Sequence, residues 1–436
     1  QKLFEKGYIG GVEIRNRVAM TAMGNGLASW DGEASPELIR FYEDRARGGC
    51  GLIFTEFTRV DETSGACNPN QLCIATRKHV RSVQRMAERV HRHGARIFVQ
   101  LHHGGREAPP ALNDGKQPMG PSAILNKVNG LVSTEMTKEE IGFIKKFVAA
   151  AVNCQKAGID GVELHAAHGY LLGSFISPYT NKRTDEYGGS VQNCCRIVTE
   201  IINGIRAACG RYPICVRING SDFVEGGITL AYAVEVAKTL EAAGADALNV
   251  SCAVYETVPN MIEPNYYEEG WRKELAKTVK AHVKIPVIAV NTIKFPATAE
   301  KLLEEGVSDF VGVSRGQMAD PEWVNKARAG REDLIRKCMG CMQCNKSVVQ
   351  DGYLSCAANP VTGRGTMYND EYLIRSGAGR NVVVIGGGPA GMQAAITLAK
   401  RAFHVILLEQ KSYLGGMAYL ATVPPHKTMV AEFIKT

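Results

Sequence analysis

The first 330 or so residues alternate short apolar runs with longer stretches whose apolar positions recur at helical spacing. Eight apolar runs predict strands, and several are almost wholly apolar, as expected for strands that are covered on both faces. The predicted strands are residues 17–20, 51–58, 95–101, 161–165, 213–218, 247–251, 286–290 and 309–313. Helical patterns between them include residues 36–47, 77–93, 137–156, 230–243, 296–305 and 322–329.

A strand followed by a helix, repeated eight times, predicts an α/β fold in which a parallel sheet closes into a (β/α)8 TIM barrel. Chemistry in such a barrel takes place where the strands end and the following loops begin. We expect three regions: a barrel over 1–330, a cysteine-bearing segment over 331–378, and the start of a Rossmann-type dinucleotide-binding domain over 379–436.

Composition and charge narrow the class of protein. Hydrophobic residues make up 45% and charged residues 22%, which is ordinary for a globular protein. The net charge of +7 is spread along the chain, so no nucleic-acid partner is needed to explain it. No apolar run is long enough to cross a bilayer and no charged leader precedes an apolar stretch at Gln1, which predicts a cytoplasmic protein without a membrane partner.

Four of the 13 cysteines are spaced C-x2-C-x2-C-x11-C; they are Cys338, Cys341, Cys344 and Cys356. Three thiols within seven residues and a distant fourth suit a cubane iron–sulfur cluster. Structural zinc is the alternative, but it usually takes its ligands from two separate knuckles, and the third cysteine comes too early for a second one. The odd total of cysteines argues against a disulfide framework.

A glycine-rich turn follows the apolar run at 381–385, and its glycines are Gly386, Gly388 and Gly391. A turn of this kind between a strand and a helix allows backbone amides and the helix N-terminus to face a pyrophosphate. A second apolar run ends at Glu409, about twenty residues on, where a carboxylate can bind ribose hydroxyls. The pattern predicts the opening unit of a dinucleotide-binding domain.

Polar residues cluster just past the predicted strand ends of the barrel. The third strand leads into Gln100, the fourth into His165, the fifth carries Arg217, and the eighth ends at Ser314 and Arg315. The stretch His-Ala-Ala-His-Gly-Tyr-Leu from position 165 to 171, together with Asn-Lys-Arg-Thr-Asp-Glu-Tyr-Gly-Gly-Ser from 181 to 190, closely resembles the old yellow enzyme family of flavin-dependent ene-reductases.

The barrel, the four cysteines and the glycine-rich turn together resemble the multidomain branch of that family. This branch includes 2,4-dienoyl-CoA reductases, enoate reductases, trimethylamine dehydrogenases and bile-acid enone oxidoreductases. The resemblance implies FMN in the barrel, a [4Fe–4S] cluster on the cysteine segment, and FAD and NAD(P)H bound by the C-terminal region. It also leads us to expect that this chain carries only part of that region, with an incomplete FAD site.

The resemblance implies a catalytic set of His165, His168 and Tyr170. Two imidazoles at a strand exit can both donate N–H hydrogen bonds to one substrate carbonyl oxygen, which polarises a conjugated alkene. A tyrosine is protonated at neutral pH, so Tyr170 can protonate the α-carbon after flavin N5 gives hydride to the β-carbon. A structural role remains the alternative for a lone histidine.

The flavin itself needs hydrogen-bond donors at its pyrimidine edge and a cation near N1 and O2. Gln100 and Arg217 offer these groups, although Gln100 could instead cap a loop and Arg217 could pair with Glu163 or Asp222. The full set of FMN contacts that the resemblance implies is Thr21, Met23, Gln100, Arg217, Asn291, Ser314 and Arg315, the last of which would hold the phosphate. Asn291 stands where many relatives have glycine.

The expected function is therefore NAD(P)H-dependent reduction of the C=C bond of an enone, an enoate or an enoyl-CoA, by a protein that can form a homo-oligomer. Residues 107–135 and 253–271 should line the substrate pocket with an aromatic wall. A tertiary-amine dehydrogenase is one alternative, but those relatives carry tyrosine at position 165 and a flavin-linked cysteine in the stretch 20–27, and this chain has neither. A non-catalytic flavin and iron–sulfur electron-transfer fragment is the other alternative.

Overall fold

The computed structural model describes residues 1–290 and 292–436, so the predicted flavin contact Asn291 lies outside the described residues. Fourteen strands are found within these residues. They are β1 (Gly7–Ile9), β2 (Val12–Ile14), β3 (Val18–Met20), β4 (Leu52–Arg59), β5 (Arg96–His102), β6 (Met119–Gly120), β7 (Thr134–Glu135), β8 (Gly161–Ala166), β9 (Ile214–Asn219), β10 (Ala247–Ser251), β11 (Val287–Val290), β12 (Phe310–Gly312), β13 (Asn381–Ile385) and β14 (His404–Leu408).

The α-helices lie mostly between consecutive barrel strands. They are α1 (Pro36–Arg47), α2 (Arg77–His91), α3 (Lys138–Ile141), α4 (Ile144–Lys156), α5 (Leu171–Ile176), α6 (Val191–Cys209), α7 (Leu230–Ala242), α8 (Val258–Met261), α9 (Lys273–Lys280), α10 (Pro296–Glu304), α11 (Arg315–Ala319), α12 (Trp323–Arg328), α13 (Gln343–Asp351), α14 (Pro389–Lys400), α15 (Met417–Leu420) and α16 (Thr428–Lys435). None of them is both long and apolar enough to cross a membrane.

Eight parallel strands close into a barrel in the order β3, β4, β5, β8, β9, β10, β11 and β12, with β12 returning to pair with β3. These are the eight strands that the apolar runs predict, with ends that differ by one residue or so. The TIM barrel is therefore confirmed. The parallel direction places all eight carboxyl ends at one mouth, where Gln100, His165 and Arg217 lie on neighbouring strands.

The opposite end of the barrel is filled by a separate apolar cluster. Phe54 on β4 and Phe98 on β5 meet edge to face with ring centroids 5.7 Å apart. Phe310 on β12 and the β1–β2 hairpin residues Ile9 and Ile14 complete the plug, and all five side chains are buried. The barrel is thus closed at its base.

The predicted helix over 137–156 is two helices in the structure. Thr137 caps α3 by accepting a hydrogen bond from the Glu140 amide, and the Glu140 carboxylate accepts one from the Thr137 amide. The chain then turns at Gly142, whose own amide bonds back to Glu139, before α4 begins. An apolar helical period continues across such a turn, so the pattern alone does not reveal the break.

The last strands form a small parallel pair that is separate from the barrel. β13 pairs with β14 from Asn381 to Ile385, and helix α14 lies between them in the chain. Apolar side chains remain in contact with solvent on this pair; Ile385 is 85% exposed. The strand, turn, helix and strand predicted from the glycine pattern are confirmed.

We expect Phe98→Ala to lower the free energy of unfolding by about 3–5 kcal/mol, because it empties the centre of the closed barrel base. Val132→Ala is the control, since Val132 is 54% exposed, and should change stability by less than about 0.5 kcal/mol. Urea unfolding followed by circular dichroism measures both. Equal unfolding midpoints for the two variants would contradict this account of the plug.

Candidate active site

One cavity opens at the mouth of the barrel and brings most of the predicted flavin and catalytic residues together. The predicted residues that line it are Thr21, Met23, Gln100, His165, His168, Tyr170, Arg217, Ser314 and Arg315. Two of the four predicted cluster ligands, Cys338 and Cys344, line the same cavity. The barrel mouth and the cysteine segment therefore share one internal surface.

Glu163 holds the floor of this cavity together. Its Oε1 accepts a hydrogen bond from Gln100 Nε2 at 2.7 Å, and its Oε2 accepts from Asn249 Nδ2 at 2.8 Å and from Cys215 Sγ at 3.5 Å. Burial raises the pKa of Glu163, while Arg217 and the donated hydrogen bonds oppose that rise. Gln100 thus has one fixed orientation, with its amide nitrogen directed at Glu163 rather than into a loop.

Arg217 is buried at the end of β9 with much of its hydrogen-bonding capacity free. Nη2 donates to Ser251 Oγ at 3.3 Å, whereas the buried Nε has no partner within the described residues. Burial lowers the pKa of Arg217, and Glu163 opposes this effect. No hydrogen bond joins Arg217 to Asp222 in the described part of the chain, because Asp222 is taken by Ser177 and Asn219.

The two predicted imidazoles lie next to each other. The ring centroids of His165 and His168 are 5.1 Å apart, and burial lowers the pKa of both well below the ordinary value. Both rings are therefore neutral near pH 7, and each carries a single N–H. His168 Nε2 bonds Ser251 Oγ at 2.8 Å, while the buried Nδ1 of His165 has no partner among the described residues.

A third imidazole, His102, belongs to this cluster and was not assigned a role from the sequence. Its ring centroid lies 5.4 Å from that of His165 and 4.5 Å from that of Tyr170. The signal was present, since His102 is the last residue of β5, two positions after Gln100. A strand pattern alone does not show that residues 63 positions apart meet.

Tyr170 lies over His165 with ring centroids 4.9 Å apart and is hydrogen-bonded to Tyr255 through the two hydroxyls at 2.6 Å. Burial raises the pKa of Tyr170 well above its ordinary value, and Tyr255 adds to the effect. The Tyr170 phenol is therefore protonated at neutral pH. Tyr255 comes from the predicted pocket segment 253–271, but its bond to Tyr170 could not be read from the sequence.

The predicted phosphate-binding arginine has a strong internal partner. Arg315 Nη2 lies 2.9 Å from Glu263 Oε2, and Nη1 donates to the Glu263 carbonyl at 2.6 Å. Arg272 binds the other carboxylate oxygen at 3.0 Å, and Glu263 is buried between the two cations. Ser314 donates to the carbonyl of Thr21 at 3.1 Å, which ties the first and last barrel strands at the cavity.

The cysteine segment brings its four thiols into one neighbourhood. Burial raises the pKa of Cys344 to about 11, and Cys338, Cys356 and Cys341 are near enough to raise it further. Within residues 1–290 and 292–436, no group of three or more His, Cys, Asp or Glu side chains is placed to hold a metal ion. Four thiols are the ligands that an iron–sulfur cluster requires, and the cluster remains a prediction.

The glycine-rich turn has the expected close approaches. A Cβ on Gly391 would lie 1.9 Å from the carbonyl oxygen of Gly386, so only glycine fits there. Glu409 Oε2 accepts a hydrogen bond from the Gly387 amide at 2.7 Å. Glu409 thus lies against the turn, and Gly388 forms the N-cap of α14.

The first of the two predicted pocket segments does not line this cavity. Met261 and Ile262 of the segment 253–271 do, but none of the lining residues in the described chain comes from 107–135. Arg106, which directly precedes the segment 107–135, instead ties it to the Tyr255 loop by donating to the Leu125 carbonyl at 3.4 Å and to Glu256 at 3.0 Å. Tyr266, Tyr267 and Trp271 stack on one another, with neighbouring centroids 5.0 and 4.9 Å apart, rather than forming the cavity wall.

Family models match the barrel region and the C-terminal region of the chain. Residues 2–334 match the model described as NADH:flavin oxidoreductase / NADH oxidase, and residues 381–434 match the model described as FAD dependent oxidoreductase. The chain belongs to the NADH:flavin oxidoreductase / NADH oxidase family. The resemblance to old yellow enzyme flavoproteins is confirmed, and the chain is an oxidoreductase with an FMN-type barrel and an FAD-type C-terminal region.

Individual relatives agree with this placement. The chain is 46% identical over 435 residues to an NADH oxidase of Thermoanaerobacter brockii, covering 99% of this chain and 66% of the relative. It is 34% identical to a cinnamate reductase of Clostridium sporogenes, covering 98% and 67%. A solved 2-naphthoyl-CoA reductase in complex with 2-naphthoyl-CoA superposes with a TM-score of 0.94 at 30% identity, covering 100% and 68%.

These figures define what family membership supports. The chain spans about two thirds of the length of the relatives it matches. The relatives include the cinnamate reductase and also an N,N-dimethylglycine/sarcosine dehydrogenase of Chromohalobacter salexigens, which is 34% identical to this chain. Membership therefore shows a flavin-dependent oxidoreductase and does not specify the substrate or the reaction.

Gly24 lines the cavity, and the structure gives a steric reason for glycine at this position. A Cβ there would lie 2.6 Å from two ring carbons of Phe57 and 2.8 Å from Asn68 Nδ2. We expect Gly24→Ala to lower the free energy of unfolding by about 1–3 kcal/mol through overpacking. Urea unfolding of the apoprotein measures the change.

A double variant separates this clash from other effects of Gly24→Ala. Phe57→Leu removes the ring carbons that the new methyl group would meet. In the Phe57→Leu background, Gly24→Ala should therefore cost less than it does in the parent. Equal costs in the two backgrounds would show that Phe57 is not the reason for glycine at this position.

Proposed function

We propose that this chain reduces the C=C bond of an α,β-unsaturated carbonyl compound, with His165 and His168 binding the carbonyl oxygen and Tyr170 donating the proton. The observation that carries the proposal is the meeting of two neutral imidazoles and a protonated phenol in one buried cavity. Neutral imidazoles can donate N–H bonds to an oxygen, and a phenol with a raised pKa holds its proton until a carbanion takes it.

The cavity fits a flavin on chemical grounds. Arg217 Nε and His165 Nδ1 are buried polar atoms without partners in the described residues, and burying such atoms is costly unless a ligand binds them. Gln100 and Arg217 would hold the pyrimidine edge, Thr21 and Met23 would contact the ring, and Ser314 and Arg315 would hold the phosphate. A reduced flavin bound there supplies hydride to the substrate.

The chain's own residues then have separate tasks. The His165 and His168 N–H groups bind the carbonyl oxygen, where negative charge develops as the β-carbon is reduced. Tyr170 transfers its phenolic proton to the α-carbon. Burial of the cavity strengthens the imidazole bonds to that oxygen, because little water competes for it.

Amine oxidation fits the chain less well. A conjugated carbonyl needs hydrogen-bond donors for its oxygen, and His165 supplies one at the position where amine dehydrogenases of this family carry tyrosine. The stretch 20–27 also has no cysteine for a covalent flavin link. Bleaching of the oxidised flavin by trimethylamine would support the amine dehydrogenase instead, and no bound flavin absorbance at all would support a non-catalytic fragment.

The remaining parts of the assignment extend the proposal to the whole chain. Cys338, Cys341, Cys344 and Cys356 would bind a [4Fe–4S] cluster, and Gly386, Gly388, Gly391 and Glu409 would contribute to an FAD site. The division into 1–330, 331–378 and 379–436 follows from these roles. NAD(P)H would be the electron donor, as the description of the family model supports.

Tyr170→Phe tests the proton donor. The variant keeps the ring and loses only the acidic proton, so alkene reduction should slow by about 10²–10⁴-fold. The measurement is reoxidation of photoreduced flavin in the FMN-loaded chain by an enone, an enoate and an enoyl-CoA. Reoxidation by ferricyanide, which takes electrons without a proton, should be unchanged.

Tyr8→Phe provides the matched control, because Tyr8 is exposed and bonds Glu13 on the β1–β2 hairpin. It should reduce the preferred alkene at the parent rate. The proposal fails if the parent reduces none of the three alkenes. The assignment of Tyr170 fails if Tyr170→Phe reduces the preferred alkene as fast as the parent does.

Cys341→Ser tests the cluster independently of catalysis. Removing one of four thiolate ligands should lower the iron and acid-labile sulfide content of anaerobically reconstituted protein below that of the parent. Cys209→Ser is the control, since Cys209 lies at the end of α6 and outside the cysteine segment. Zinc bound in stoichiometric amount without sulfide would identify the metal as zinc.

A further inference from the structure

We propose that Tyr170 is supplied with protons through Tyr255 from Glu107, a buried carboxyl group that lies outside the cavity. The inference rests on the proposed role of Tyr170 as proton donor and deepens it. Each turnover leaves Tyr170 as a phenolate in a buried site, so the proton must be replaced before the next alkene is reduced. Tyr255 and Glu107 act through Tyr170 and are positioning and proton-supply residues.

The first contact of the relay is the hydrogen bond between the two phenols. Tyr170 and Tyr255 hydroxyls are 2.6 Å apart, and their ring centroids are 5.7 Å apart with the rings nearly perpendicular. Tyr255 also lines the cavity. A phenol that donates to Tyr170 stabilises its phenolate at the moment the proton leaves, and the same bond is the route by which a proton returns.

Glu107 lies close enough to this pair to raise the pKa of both phenols. Its Oε1 is 3.8 Å from the position that a Cβ on Gly169 would occupy, next to Tyr170 in the chain. Its Oε2 accepts a hydrogen bond from Asn126 at 2.8 Å, while the buried Oε1 has no hydrogen-bond partner within residues 1–290 and 292–436. Oε1 is thus the atom free to carry a proton, and a buried water is the expected bridge to Tyr255.

A chain of polar groups leads from this site towards solvent. Arg106 Nη2 binds Glu256 Oε1 at 3.0 Å, and Tyr179, which is less buried, donates its hydroxyl to the same oxygen at 3.3 Å. Arg106 Nη1 lies 3.7 Å from Glu107 Oε1. Two carboxylates on one buried guanidinium leave a net charge of −1 when both are ionised, so binding one proton neutralises the group.

The acidity of Glu107 suits a proton donor near neutral pH. Burial raises the pKa of Glu107 to about 7, with Arg106 and the Asn126 hydrogen bond opposing the rise and Glu256 adding to it. The other ionisable groups near enough to interact with Glu107 are Cys67, Tyr170, Tyr179 and Tyr255. Glu107 is protonated below about pH 7 and loses its proton above it.

The proton balance closes without another reactant. Tyr170 O–H breaks as the α-carbon gains a C–H bond. The Tyr255 hydroxyl then gives its proton to the Tyr170 phenolate, and the Glu107 carboxyl re-protonates Tyr255. The resulting Glu107 carboxylate faces Arg106 and takes its next proton from solvent. No electrons move in these steps.

Two conservative variants test the relay in the FMN-loaded full chain, with reduced methyl viologen as electron donor and the preferred alkene as acceptor. Tyr255→Phe should lower alkene turnover about tenfold, as expected for the loss of a hydrogen bond to a developing charge. In the parent, turnover should fall as the pH rises through about 7. Glu107→Gln should abolish this fall and lower the rate at pH 6 several-fold.

In each variant, ferricyanide reduction and flavin content should match those of the parent. Such a match would exclude damage to the site as the cause of slower alkene reduction. Tyr8→Phe and Glu13→Gln are matched controls, since this exposed pair has the same residue types joined by a 3.0 Å hydrogen bond. Glu107→Asp should retain the pH dependence. The relay is wrong if Tyr255→Phe and Glu107→Gln both keep the parent's pH profile and rate within twofold, while Tyr170→Phe still loses alkene reduction.

A different result identifies failure of the proposed function itself. If the reduced parent protein passes electrons to ferricyanide but to no alkene, the role of Tyr170 as proton donor is refuted. The relay, which depends on that role, is then refuted as well. Loss of ferricyanide reduction in Tyr255→Phe would instead show that Tyr255 holds the site together, and would overturn its role in proton supply.

Discussion

The buried carboxylate of Glu163 is the interaction on which the geometry of the site depends. It accepts hydrogen bonds from β5 through Gln100, from β9 through Cys215 and from β10 through Asn249, while itself lying on β8. A charge inside a barrel is costly to bury unless it is fully hydrogen-bonded and paired. Satisfying this one carboxylate therefore fixes four consecutive strands relative to one another and places Arg217 beside it.

The barrel layers on either side of Glu163 differ in whether they contain buried polar atoms without hydrogen-bond partners. The layer below Glu163 faces the base, and the layer above it faces the mouth. Below it, the plug around Phe54 and Phe98 is apolar and closely packed. Above it, Arg217 Nε, His165 Nδ1 and His102 Nε2 are buried without partners in the described chain, and each such atom costs about 1–3 kcal/mol. The apolar base can offset that cost, and the unsatisfied layer is the one that gains most from a ligand.

Much of the barrel could be predicted from the sequence because local patterns determine it. A strand buried on both faces must be almost wholly apolar, and a polar residue at its carboxyl end then marks the mouth, as for Gln100 and Arg217. The helix break at Gly142 was missed because the apolar period runs through it. The site residues that could be predicted are those near the carboxyl ends of the barrel strands.

What the sequence did not show are contacts between loops far apart in the chain. Tyr170 meets Tyr255 across 85 residues, and Arg106 meets Glu256 across 150. Each partner follows a different strand, and only closure of the barrel brings the loops together. The segment 107–135 was expected at the cavity, yet Arg106 ties it to the Tyr255 loop by donating to both the Leu125 carbonyl and Glu256.

Charge balance explains how the cavity can attract an anion. Arg272 and Arg315 share the single carboxylate of Glu263, so two positive charges and one negative charge leave a net +1. Lys294 also lines the cavity, and burial lowers its pKa while Cys338 and Glu269 oppose the change. An arginine that is already paired stays ordered at little entropic cost, and the remaining positive charge is available to a phosphate. At Arg106 the charge imbalance has the opposite sign. Two carboxyl groups, Glu107 and Glu256, face this one guanidinium, so the excess charge is negative. A proton rather than a phosphate restores neutrality there.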